Sequence, residues 1–205
     1  MANDTVLWAI DRRGVATVTL NRPKVNNAYN GDLIQGLRRR LQTGNLTQGG
    51  GTVRQADVGE TYLRRIVGDV KLSRPMKIVV DCGNGVAGKL APELFRRMGC
   101  DVIELFCDID GSFPNHHPDP SKPENLEDLR RALRETDAEL GLAFDGDGDR
   151  LGVVTKDGEI IFPDRQLMLF AADVLARNPG AQIIYDVKCS RWVAESVRFQ
   201  GGIPL

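Results

Sequence analysis

Residues 145–150 read Asp-Gly-Asp-Gly-Asp-Arg and follow the apolar run "AELGLAF" at 138–144. In an extended loop alternate side chains point the same way, so Asp145, Asp147 and Asp149 can converge. Gly146 and Gly148 let the backbone between them curl tightly. Three carboxylates in one small volume repel each other unless something positive lies between them. A hard divalent cation with oxygen ligands fits that need, and Mg²⁺ is the natural candidate. An EF-hand calcium loop is the obvious rival. It requires Gly at loop position 6 and Glu at position 12, where this chain has Arg150 and Lys156. A strand-like run also follows the loop, not a helix. A solvated acidic turn without metal is the plain alternative, and the strict alternation at a strand end weighs against it. Arg150 adds a fixed cation, and a planar guanidinium suits phosphate or sugar oxygens. Metals and arginines together neutralise charge on a moving phosphoryl group, so the loop points to a phosphorylated substrate.

Other residues are weaker candidates. "CGNGVAG" (82–88) follows a strand and opens a helix, and Gly83, Gly85 and Gly88 match the spacing of a dinucleotide-binding turn. No acidic residue ends the next strand convincingly in the ribose-binding position, Asp108 being nearest, so a tight strand-to-helix turn is the preferred reading. His116 and His117 titrate near neutrality and could serve as bases, but the prolines around them favour a structural role. Cys189 has no histidine near it in sequence, which argues against a nucleophile. Cys82, Cys100, Cys107 and Cys189 form no CxxC pair. They read as free thiols of a reducing compartment, without a zinc site.

These residues need elements to position them. "VLWAI" (6–10) and "VATVTL" (15–20) predict a β-hairpin, and residues 32–41 have helical spacing. "TGNLTQGGGT" (43–52) is a breaker-rich linker. Beyond it helices and strands alternate: helix 60–72, strand 76–82, helix 89–99, strand 101–107, a Pro-rich loop 108–125, helix 126–136, strand 138–144, the aspartate loop, a hairpin 151–162, helix 164–178, strand 181–187 and helix 190–201. Near-continuous apolar strands of this kind predict an α/β fold, a mostly parallel sheet with helices on both faces, preceded by an N-terminal β-hairpin. Ligands in such sheets bind at the carboxyl ends of strands, where the aspartate loop lies.

The 205 residues suit one large domain or two small ones. Lys plus Arg number 27 and Asp plus Glu 28, for a net charge of −1, which gives no drive toward nucleic acid or an anionic membrane. No apolar run reaches the length of a transmembrane helix, and the N-terminus lacks the pattern of a secretory signal. A cytoplasmic protein is expected.

"KIVVDCGNGVAG", "DGSFPNHHPDP", "KPENLEDL", "GLAFDGDGDRLGVV" and "FPDRQLMLFAADVLARNPGAQIIYDVKCSR" together resemble the second domain of the α-D-phosphohexomutases, the phosphomannomutase/phosphoglucomutase enzymes. Residues from about Gln35 to Asp57 resemble the tail of the first domain. The resemblance implies an isomerase that moves a phosphoryl group between the 1- and 6-positions of a hexose phosphate by way of a phosphoserine. It also implies Asp145, Asp147 and Asp149 as Mg²⁺ ligands and Arg150 as an active-site arginine. The family's serine sits in a T-[AG]-S-H-N-P motif, and this chain has no serine before Ser73. The family's third and fourth domains also have no match, so mutase turnover is not expected of this chain.

Residues 1–34, with "NRPKVNNA", resemble the opening of the crotonase superfamily instead. There a backbone N–H near the Asn27–Ala28 pair would help form an oxyanion hole. The expected organisation is thus a crotonase-like hairpin and loop (1–34), a mutase domain 1 tail (35–57) and a mutase domain 2-like α/β domain (58–205). The two resemblances meet near Ile34–Leu37, as in a chimera. An acyl-CoA hydratase or isomerase, and a non-catalytic metal-binding domain, are the alternative functions; oligomeric state is left open.

Overall fold

A computed structural model describes residues 5–42 and 52–205, with Arg40 and Leu41 described by backbone alone. The expected linker, apart from Thr52, lies outside the described residues. The chain divides into two compact units, residues 1–56 and 57–205.

In the first unit, β1 (Val6–Ile10) pairs antiparallel with β2 (Ala16–Leu20), from Val6↔Leu20 to Ile10↔Ala16. Asp11 closes the turn, its carboxylate accepting from the backbone N–H groups of Arg13 and Val15. α1 (Gly31–Gln42) follows. Asn30 starts this helix by accepting from the Leu33 N–H, as short polar side chains do at helix N-termini. α1 runs without a break through residues 34–37. Among the described residues of this unit, Val6 and Leu33 are the buried apolar side chains.

The second unit opens with α2 (Gly59–Asp69) and β3 (Lys77–Asp81). A 3₁₀ turn at Val86–Lys89 leads to α3 (Ala91–Arg97), then β4 (Asp101–Leu105). A long loop and a second 3₁₀ turn, Pro123–Leu126, precede α4 (Glu127–Glu135), β5 (Leu140–Phe144), β6 (Leu151–Thr155) and β7 (Ile160–Ile161). The unit ends with α5 (Pro163–Arg177), β8 (Gln182–Ile183), α6 (Arg191–Phe199) and β9 (Ile203–Pro204).

Five strands form the central sheet in the order β4-β3-β5-β6-β7. β3 pairs parallel with both β4 and β5, whereas β5–β6 and β6–β7 are antiparallel. The sheet is therefore mostly but not wholly parallel, as the hairpin at 151–162 requires. Period-two alternation splits its side chains between two cores. Val79, Ala143 and Val154 meet Leu126, Leu129 and Leu133 around α4. Ile78, Val80 and Leu142 face Ala91 of α3 on the other side.

The strand expected at 181–187 is corrected. Only β8 forms, and it pairs with β9 in a small separate sheet. Its second half is apolar but unburied, Ile184 being 78% and Val187 96% exposed. Asp186 ends the extended run by accepting from the Lys188 N–H through its carboxylate and from the Cys189 N–H through its carbonyl. α5 and α6 pack on this small sheet around Ala171, Leu175, Val193 and Val197, a third core beside the first two. Among the described residues no helix is long and apolar enough to cross a membrane.

Candidate metal centre

The aspartate loop is the tip of the β5–β6 hairpin, whose last pair is Phe144↔Leu151. The Asp145 N–H donates to the Arg150 carbonyl at 3.3 Å, and the Gly148 N–H to the Asp145 carbonyl at 3.1 Å. Gly148 has φ +76°, a left-handed value that costs an L side chain roughly 1–2 kcal/mol. From the neighbouring strand end, the Val86 N–H donates to the Gly146 carbonyl at 3.1 Å and braces the loop.

The structure brings the three expected carboxylates together. One oxygen from each of Asp145, Asp147 and Asp149 lies within 4.8 Å of the others. The electrostatics also fit a cation. Asp149 is held above the ordinary carboxyl range by the hydrogen bond it shares with Asp145 and by repulsion from Asp147 and Asp145. Burial pushes Asp145 up, but the backbone and side-chain N–H groups of Arg150 outweigh it and hold that carboxyl low. Negative charge is thus compensated at Asp145 and in surplus at Asp149. An all-oxygen donor set with surplus negative charge suits a hard cation.

Arg150 is engaged with three carboxylates. Its backbone N–H and Nε donate to Asp145 at 2.9 and 2.7 Å. One terminal nitrogen reaches Asp119 at 3.2 Å, and Nε lies 3.6 Å from Asp149.

Sequence reasoning did not reach three supporting residues. Asp119 is one. Asn84, at φ +60°, donates to the Asp108 carbonyl and accepts from Asn115, tying two loops together. Asp81, fully buried, faces His116 Nε2 at 3.1–3.2 Å and accepts from the Gly83 N–H. That carboxylate raises the His116 pKa, against the opposing effect of burial. Phe106 meets the His116 ring edge-on at 5.4 Å. The "DPS" turn signal at Asp119 was visible in the sequence, but its partner lies 31 residues away.

Two weaker readings fail on backbone geometry. In the Gly-rich turn the Gly85, Val86 and Gly88 N–H groups donate to the carbonyls of Cys82, Gly146 and Gly85, so they cannot cradle a pyrophosphate. A Cβ at Gly88 would fall 2.0 Å from the Cys107 carbonyl oxygen; close packing is what requires that glycine. In the N-terminal unit the Asn27 and Ala28 N–H groups donate to the carbonyls of Arg22 and Val25. An oxyanion hole would need such a group unengaged. Cys82 and Cys107 are free thiols with their sulfurs 3.5 Å apart at adjacent strand ends, and Cys189 packs beside the α5–α6 core.

Residues 60–158 match the family model for phosphoglucomutase/phosphomannomutase, alpha/beta/alpha domain II. The phosphomannomutase/phosphoglucomutase of Pseudomonas putida is 59% identical over 172 residues, 84% of this chain and 37% of that protein. The chain belongs to the phosphoglucomutase/phosphomannomutase family. The phosphomannomutase/phosphoglucomutase of Pseudomonas syringae pv. tomato is 50% identical over 203 residues, 95% of this chain and 44% of that protein. The crystal structure of a phosphoglucomutase/phosphomannomutase family protein from Burkholderia thailandensis superposes with TM-score 0.78 at 61% identity, over 93% of this chain and 41% of that one. This family member thus spans well under half the length of these relatives. A match over 95% of the chain necessarily includes most of residues 1–34. None of these relatives is a crotonase, and the acyl-CoA alternative has no support from them.

Proposed function

We propose that this chain supplies the metal-holding part of a phosphohexomutase site. Asp145, Asp147 and Asp149 hold Mg²⁺, and Arg150 stands beside the phosphoryl group of a hexose phosphate. The reaction would be an isomerisation moving that group between the 1- and 6-positions through a phosphoserine, in the cytoplasm. The carrying observation is the set of three carboxylate oxygens within 4.8 Å at the end of β5, inside the part of the chain that matches the family's domain II. The names of the relatives, phosphomannomutase/phosphoglucomutase, supply the substrate class.

When bound, the cation would neutralise charge on a phosphoryl oxygen. The chain's own residues do the rest. The hairpin fixes where the three carboxylates point, Gly148 lets the loop turn back, and the Val86 N–H steadies Gly146. Arg150, gripping Asp145, keeps a positive charge within reach of the same oxygens. Calorimetric Mg²⁺ titration tests the reading. Asp147 is exposed, so Asp147→Asn should leave the fold intact and lose the binding. Equal Mg²⁺ affinity in the two proteins would overturn the metal site.

A further inference from the structure

We propose that Asp119 is a positioning residue for the cation site, acting through Arg150: it keeps the guanidinium that an arriving cation displaces from Asp145 and Asp149. The inference rests on the metal reading above. As the structure stands, one guanidinium serves three carboxylates. It holds Asp145 at 2.7 Å and Asp119 at 3.2 Å, and lies 3.6 Å from Asp149. Two of those three belong to the candidate ligand set. A divalent cation and Arg150 therefore compete for the same oxygens, and the cation can take them only as the guanidinium gives them up. Asp119 is the partner of Arg150 that stands outside the ligand set.

Asp119 is built to stay put and stay charged. Its side chain is 19% exposed and sits between Pro118 and Pro120, which stiffen the backbone. Its Oδ1 accepts from the Ser121 hydroxyl at 2.7 Å and the Ser121 N–H at 3.2 Å. Those donors, with the nearby charges of Arg150 and Lys122, hold its carboxyl below the ordinary range. A fixed carboxylate outside the ligand set gives Arg150 a second place to stand and lowers the cost of releasing Asp145.

Mn²⁺ binding to the 205-residue chain, followed by the paramagnetic resonance signal of free Mn²⁺, tests this with the wild type and four variants. Asp119→Asn should weaken binding by about fivefold, the worth of one partly exposed charged hydrogen bond. Arg150→Gln removes the competitor and should tighten binding. In the Arg150→Gln background Asp119→Asn should have no further effect, because its route is gone. Asp119→Glu should restore most of the affinity in the presence of Arg150. Thermal melts of each variant establish folding, and if Asp119→Asn fails to fold, Arg150→Gln and Asp119→Glu still decide. An equal loss from Asp119→Asn with and without Arg150 would show a direct field effect and overturn the proposal. So would an Arg150→Gln protein that binds no tighter than wild type. Wild-type chain that binds no Mn²⁺ would overturn the metal reading itself, whereas wild-type binding indifferent to Asp119 would overturn only this inference.

Discussion

Asp145 is 1% exposed and would be costly to bury as an anion without the two donors of Arg150. The same logic governs Asp81, the other buried carboxylate among the described residues, whose partner is His116. His116 holds its proton above the ordinary value of 6.5 when folded, chiefly through the hydrogen bond to Asp81. A raised folded pKa favours the folded state when the group is protonated. That contribution is whole below about pH 6.5 and disappears as pH rises through the higher folded value. Urea midpoints should therefore fall in the wild type as pH rises from about 6.5 through the raised folded value, and fall less in His116→Gln; parallel profiles would contradict the pairing. Gly88→Ala should destabilise by about 1–3 kcal/mol, because its Cβ meets a backbone carbonyl that cannot swing aside as a side chain can. Equilibrium urea unfolding checks this. At this scale the sequence showed what is local. The Asp-Gly alternation announced three converging carboxylates, since neighbours in one loop share its geometry. It did not announce Asp119 beside Arg150 or Asp81 beside His116, which lie 31 and 35 residues apart and meet only where the loop after β4 reaches the ends of β3 and β5.

At the scale of elements, apolar periodicity located α1 to α6 and the five strands of the central sheet closely. It did so because each element buries one face or stripe, and burial is what periodicity records. α4 shows the strength of that link: Leu129 and Leu133 are fully buried against Val79 and Ala143. Leu129→Ala should cost about 2–5 kcal/mol, whereas Leu169→Ala on α5, where the side chain is 69% exposed, should change stability by less than about 0.5 kcal/mol. Comparable losses at the two positions, measured by urea unfolding, would contradict the packing. The run at 181–187 misled because it is apolar without being buried. Its turn at Asp186 is local, but its pairing with β9, Gln182 with Ile203, is a tertiary fact that no window of that segment contains.

At the scale of the whole molecule, the second unit carries three cores of unequal support. The two around α3 and α4 share the five-stranded sheet. The third joins α5 and α6 to a sheet of two short strands, and β7 and β6 reach α5 through the Gln166 side chain, which donates to Ile161. Hydrogen exchange should be slowest in β3 and β5 and faster across residues 181–205, since smaller cores open at lower cost; the reverse order would contradict this hierarchy. Membership of the phosphoglucomutase/phosphomannomutase family was legible because its motifs run through the whole sheet.

The antiparallel return of β6 beside β5 has one more consequence. In a parallel unit the chain leaving a strand usually enters a helix, whose first turn presents unpaired N–H groups and the positive end of a dipole, a natural seat for anions. After β5 the chain doubles back as a hairpin, and no helix begins from the aspartate loop. The loop is thereby spared a built-in positive field, so the positive charge it meets must come from an arginine that can move or an ion that can enter.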